Sequence, residues 1–142
     1  MMEQLITFAE NNAMLSMAWL AIVSMLVFIT IKSKLSPVKE INTQELTLKV
    51  NREDAQVIDI RSEADFKKGH ILGSKHLTVE KVNNNQLQGL EKAKDKPIIV
   101  VCTAGMTALP VARKLLKAGF TQVSSLKGGF SGWQSANLPV TK

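Results

Sequence analysis

The chain has 142 residues, 45% of them hydrophobic and 21% charged, with a formal net charge of +6 and one cysteine. That length holds one domain of ordinary size plus an appendage, and the charged fraction is too low and too mixed for a disordered chain. The lone thiol excludes an internal disulfide and any zinc site needing two thiolates; with His70 and His76 as the only histidines, neither a catalytic metal nor another cofactor is expected.

The charge is unevenly placed. Before residue 32 the only charged side chains are Glu3 and Glu10, and from Lys32 onward 18 basic residues face 10 acidic ones, a balance of +8. Such a surface suits an anionic leaflet or small anionic substrates. No nucleic-acid partner is expected, because there is no arginine cluster, no tyrosine and no basic run interleaved with aromatics.

Residues 1–12 read as an N-terminal tail and 13–31 as a transmembrane helix. Asn11 to Ile31 carries no charge, and at about 1.5 Å per residue it reaches the ~30 Å of a hydrocarbon core. A cleaved signal peptide fits poorly: no Lys or Arg precedes the run, and the flank IKSKLSPVKE offers no small-residue cleavage site. Lys32, Lys34 and Lys39 follow the span, so the positive-inside rule places the N-terminus outside and the rest in the cytoplasm, at the inner membrane. Residues 32–40 read as a basic juxtamembrane linker, broken from the anchor at Ser36-Pro37.

The folded part is expected over 41–139. Asn42 with Glu45 forms a capping box for a short helix whose apolar side carries Leu46, Leu48 and Val50. Gln56 to Arg61 is a strand ending in polar groups, and Ser62 with Asp65 caps the helix EADFKKG. His70 to Ser74 is a turn into a brief strand, 75–77. The polar stretch 78–96 is partly helical, with a break at Asn83-Asn84-Asn85. Pro97 then opens the continuous apolar run IIVV, the pattern of a strand covered on both faces. The helix from Ala108 to Ala118 buries Val111, Leu115 and Leu116, tolerates Pro110 in its first turn, and ends at Gly119. Val123 to Leu126 is a further strand, followed by Gly128-Gly129-Phe130 and a last helix with Trp133. Strands alternating with helices give an α/β domain with a mainly parallel sheet, in which ligands bind beyond the strands' C-terminal ends.

Cys102 stands at such an end. The turn Thr103-Ala104-Gly105-Met106-Thr107 can point successive N–H groups inward, with Gly105 supplying the positive φ and Thr107 capping the next helix or donating its hydroxyl to sulfur. Such a bowl stabilises the thiolate, the reactive form of the side chain. On these residues alone two readings stand level: a reactive, anion-stabilised thiol, and a small buried hydrophobe at a strand end.

Three separated motifs resemble the rhodanese-like domain family: VIDIRSEADFKKGHILGS (57–74), VCTAGMT (101–107) and LKGGFSGWQSANLP (126–139). With its N-terminal span, the whole chain is similar to the membrane-anchored rhodanese-like proteins of bacteria. The resemblance implies a three-layer α/β domain with a central, mainly parallel sheet, preceded by one transmembrane helix. It implies sulfurtransfer as well. Cys102 would take sulfane sulfur from a small anionic donor (thiosulfate, a persulfide or a mercaptan), hold it as a persulfide cradled by Thr103 to Thr107, and pass it to a thiol or cyanide. In this family, loops active on thiosulfate often carry a basic residue; here Thr103, Ala104, Met106 and Thr107 are uncharged, which favours a persulfide or mercaptan donor. The phosphatase relatives of the fold have a longer loop ending in arginine, whereas the first arginine after Cys102 is Arg113.

Asp59 and Arg61 read as a structural pair at the strand end, with substrate binding as the alternative. His70 reads as a turn hydrogen-bonder, His76 as incidental, and Gly128, Gly129 and Trp133 as a packed turn beside the loop. The competing function is a catalytically weak or inactive interaction module at the membrane, since such domains also occur as scaffolds.

Overall fold

The computed structural model describes residues 1–34 and 38–142 in two units; the predicted break at Ser36-Pro37 lies outside the described residues. The first unit holds α1 (Met2–Asn11) and α2 (Ala13–Lys34). The expected tail is therefore a helix for most of its length, with Glu3 in its first turn beside the positive helix end. Asn12, at φ −132° and ψ 50°, separates the two helices. Among the described residues α2 holds the one segment long and apolar enough to cross a membrane, Ala13–Ile31, with mean hydropathy 2.3. Apolar side chains ring it on all sides, and Met14, Ile22 and Leu26 among them are exposed.

The second unit is an α/β domain. Its elements are β1 (Lys39–Ile41), α3 (Thr43–Glu53), β2 (Gln56–Asp59), α4 (Glu63–Lys68), β3 (His70–Ile71), β4 (Lys75–His76), α5 (Val79–Asn83), a 3-10 turn (Leu90–Ala93), β5 (Ile98–Val101), α6 (Ala108–Lys117), β6 (Val123–Leu126), α7 (Gly129–Ser135) and β7 (Val140–Thr141). Five strands form a parallel sheet in the order β1-β6-β5-β2-β4. A separate antiparallel ribbon pairs β3 with β7.

Strand alternation divides the core. Ile58, Ile98 and Val100 face the layer of Val82, Val111 and Leu115, while Val57, Ile99 and Val101 face Leu46, Phe130 and Trp133. All four residues of β5 are buried, because it lies between β6 and β2 with helices on both faces. The predicted caps form: Asn42 Oδ1 accepts the N–H of Glu45 at 2.8 Å, and Ser62 Oγ accepts that of Asp65 at 3.2 Å.

Four expectations need revision. Lys39 and Glu40, read as linker, are the first residues of edge strand β1, paired with Ser124 and Ser125. At the other end β7 lies beyond residue 139, held by β3, so the folded part exceeds 41–139 on both sides. In α3, Leu46 is buried while Leu48 is 50% exposed, since two positions turn a helix by about 200° and only i and i+4 share the inward face. In α6, Ala112 is buried with Val111 and Leu115, whereas Leu116 is only partly so.

Candidate active site

The site grows from the C-terminal end of β5. Cys102 follows the strand's last residue, and its chain turns at once into the five-residue loop that ends at α6. Gly105 sits at φ +93°, a conformation that costs an L side chain energy. There its N–H donates to Cys102 Sγ at 2.9 Å. A Cβ at Gly105 would also stand 3.2 Å from Gly128 N and 3.4 Å from Leu126 O, so the loop is packed tightly on the turn after β6.

The other side of the loop is held by the start of α7. Phe130 N–H donates to Cys102 O at 2.7 Å, and Ser131 N–H to Thr103 O at 3.0 Å. Both carbonyls are thereby taken by α7, and the Gly105 N–H is turned toward the sulfur. Gly129, at φ +60°, permits this approach: a Cβ there would lie 2.3 Å from Cys102 O, 2.7 Å from Thr103 O and 2.8 Å from Gly105 N. Gly128 is the N-cap residue of α7, whereas Trp133 packs in the core layer with Leu46 and Ile71 and donates its indole N–H to Pro139 O at 2.9 Å. Gly129 thus touches the loop, and Trp133 fastens the C-terminal segment instead.

Thr103, Ala104, Met106 and Thr107 form an exposed, neutral rim, while Cys102 itself keeps 4% exposure. A reacting sulfur must therefore enter the bowl. Thr107 takes the N-cap position of α6 at φ −78° and ψ −20° and makes no side-chain cap bond, so the expected cap is absent. The first N–H groups of α6, less that of Pro110, are offered at the loop end of the helix, where its dipole favours negative charge.

Asp59 and Arg61 are brought together one strand away. Arg61 Nη2 lies 2.7 Å from Asp59 Oδ2, with Nε at 3.0 Å from both carboxylate oxygens. The side chains are 6% and 1% exposed. Nη2 also donates to Gly69 O at 2.7 Å, and the guanidinium lies 3.7 Å from the centroid of the Phe130 ring. The pair therefore supports Phe130, whose N–H holds Cys102 O.

Both histidines are tied to backbone. His70 Nδ1 lies 2.9 Å from Phe66 O, and His76 Nε2 lies 2.8 Å from Arg61 O. A carbonyl only accepts, so each of these nitrogens carries the proton. Phe66 stacks on His70 at 3.8 Å between centroids and on His76 at 4.8 Å. His76, read as incidental, in fact anchors the chain after β2; the pairing is invisible locally because fifteen residues separate it from Arg61. Phe66 and Phe130 were likewise missed, and an aromatic beside an otherwise buried arginine is a signal only once the fold joins them. Among the described residues no three His, Cys, Asp or Glu side chains converge as a metal site requires.

Comparison with known proteins agrees with this geometry. Residues 42–136 match the family described as Rhodanese-like domain. The chain is 43% identical over 141 residues to the uncharacterized protein YibN of Escherichia coli K12, covering 99% of each. It is 35% identical over 104 residues to the thiosulfate sulfurtransferase GlpE of Shewanella oneidensis, covering 72% of this chain and 99% of that one. Among solved structures, the Rhodanese_3-like domain of the Alr3790 protein from Anabaena superposes with a TM-score of 0.55 at 28% identity, over 61% of this chain and 98% of that domain.

Proposed function

The chain belongs to the rhodanese-like domain family, and on that premise we propose that it is a membrane-anchored sulfurtransferase working through a Cys102 persulfide. The observation that carries the reading is the contact between Gly105 N–H and Cys102 Sγ, in a loop braced by α7. The Cys102 thiolate attacks the sulfane sulfur of thiosulfate or a persulfide, whose sulfur–sulfur bond breaks with its electron pair leaving on the donor fragment. With an α-mercapto carbonyl donor the bond that breaks is carbon–sulfur, and its electron pair leaves on the carbon fragment as an enolate. The resulting persulfide anion takes the place of the thiolate before the same N–H groups. An acceptor thiolate then attacks the outer sulfur, and the electron pair of the breaking bond returns to Cys102. Preorganised N–H dipoles stabilise anionic sulfur throughout, with no reorganisation during the reaction. The chain has no second thiol, so the acceptor is external. The relatives named thiosulfate sulfurtransferases favour thiosulfate as a donor, and the neutral rim favours a persulfide or mercaptan.

The test is mass spectrometry of the full-length protein in detergent after incubation with thiosulfate, a low-molecular-weight persulfide and a mercaptan donor. An added mass of one sulfur atom on Cys102, discharged by thiols and absent from Cys102→Ser, is expected. No adduct with any donor overturns the reading. A second reading, an interaction module, draws on the same rim, where Met106 is 82% exposed. It requires a Cys102→Ser strain to match wild type while differing from the deletion.

Ala13–Ile31 supplies the anchor in this proposal, in the inner membrane with the N-terminus outside and the domain in the cytoplasm. The lysines after the span and their absence before it support that orientation. Reporters fused to the C-terminus should be active in the cytoplasmic form only.

A further inference from the structure

Beside the loop lies a cavity of about 280 Å³ that the sulfur chemistry above does not use. Thr103, the residue after Cys102, forms one wall, so the cavity abuts the sulfur-bearing loop. Its other walls come from Arg61, from Asp65 and Lys68 of α4, and from Phe130 and Gln134 of α7. Its size is at the lower end for small-molecule sites, enough for a ligand of amino-acid scale.

The lining is chemically mixed in a specific way. Arg61 is buried, and its Nε and Nη2 are taken by Asp59 and Gly69 O, so the Nη1 edge is what the guanidinium can present to the cavity. A guanidinium edge beside a cavity is suited to a carboxylate, and the Lys68 ammonium adds a second positive charge at the exposed rim. Asp65 stands 3.7 Å from Lys68 Nζ and offers the opposite sign to an ammonium group. The Phe130 ring gives an apolar floor for methylene carbons.

Resting on the sulfurtransferase reading, the geometry points to this cavity as the subsite for the carrier end of an amino-acid-type thiol, its carboxylate toward Arg61 and Lys68 and its sulfur in the Cys102 bowl. The step balances without an oxidant or reductant. The carrier thiolate attacks the outer sulfur of the Cys102 persulfide, a carrier persulfide forms, and Cys102 leaves as thiolate. Run backward, the same complex loads Cys102 from a carrier persulfide, so one subsite serves donor and acceptor. Thiols lacking a carboxylate then bind without their anchoring contact, and cyanide makes no use of the cavity.

The test has two arms on the full-length protein in detergent. In the first, persulfidated protein is discharged by cysteine or by cysteamine, which differs in lacking the carboxylate. Wild type is expected to favour cysteine by roughly tenfold, the scale of one charge-assisted contact. Lys68→Glu and Gln134→Glu, at exposed positions on different helices, should each abolish that preference. Equal rates in wild type overturn the inference. In the second arm S-methylcysteine, which cannot accept sulfur, is titrated into resting protein while the amide signals of Lys68 and Gln134 are followed by NMR. Saturable shifts support the subsite, and their absence overturns it. Because this arm needs no persulfide, failure of sulfur loading and failure of the cavity assignment give different results.

Discussion

Replacing Gly129 with alanine tests whether α7 holds the active loop in its working shape. The substitution acts in two ways. At φ +60° an alanine pays the left-handed penalty, about 1–2 kcal/mol. Its Cβ would also stand 2.3 Å from Cys102 O, so loop and helix must separate by about 1 Å to restore ordinary contact. That movement carries Phe130 N, now 2.7 Å from Cys102 O, and Ser131 N, 3.0 Å from Thr103 O, to or beyond hydrogen-bonding range. Losing the two bonds costs about 0.5–1.5 kcal/mol each, for a total near 2–5 kcal/mol. Gly73→Ala is the matched control, since Gly73 has φ +79° and nothing within 4 Å of the added carbon. It should cost only the backbone term, about 1–2 kcal/mol. Hydrogen exchange of the β5 amides, which open only with the domain, measures both losses. Gly129→Ala should also slow persulfide loading of Cys102, because Gly105 N is 2.8 Å from the new Cβ and is pushed off the sulfur; displacements of about 1 Å cost on the order of 100-fold in rate. If Gly129→Ala is no more destabilising than Gly73→Ala and loads sulfur at the wild-type rate, the bracing role of α7 is refuted.

Asp59→Asn leaves the Arg61 guanidinium buried without its carboxylate and should cost about 3–5 kcal/mol; a loss under about 1 kcal/mol in the same exchange experiment would show that Gly69 O and the Phe130 ring suffice to hold it. Asn42→Ala removes the oxygen that accepts Glu45 N–H and should lower stability by about 1 kcal/mol, read as earlier exchange in α3. The hydrogen bond and charge of Lys96 hold the exposed Asp54 carboxyl below its usual value of 3.8. A lowered native pKa adds stability that is complete above 3.8 and lost as pH falls through the lowered value. Lys96→Met should therefore raise the Asp54 midpoint in a carboxyl ¹³C titration, leaving Glu63, lowered by its own partner Lys67, in place. At neutral pH the change in stability should be small, because the pair is solvent-exposed.

Legibility followed sequence distance. The caps at Asn42 and Ser62 could be read because donor and acceptor are three residues apart and the spacing is itself the signal. The apolar span from Ala13, the buried strand IIVV and the amphipathic α6 were legible for the same reason, since each pattern is complete within one element. Strands β1 and β7, of three and two residues, carry no pattern long enough to read and exist through pairing with β6 and β3. The 1–12 segment was read only as a tail, with no helix assigned to it, because ten residues are too few for helical periodicity to stand out.

The same division runs through the active site. By itself the sequence determined that a single thiol ends a buried strand and is followed by a glycine-bearing turn and a helix, because these are neighbours along the chain. Only the tertiary structure decided what shapes that turn. Gly129 and Phe130 reach it from 27 and 28 positions away, and Arg61 supports Phe130 from the opposite direction in the chain. The cavity beside the loop gathers residues 61, 65, 68, 103, 130 and 134. Arg61 and Thr103 could be singled out along the chain, but only the placement of α4 and α7 beside the loop brings Asp65, Lys68, Phe130 and Gln134 next to them, because a shared cavity is a property of distances that the order of residues does not contain.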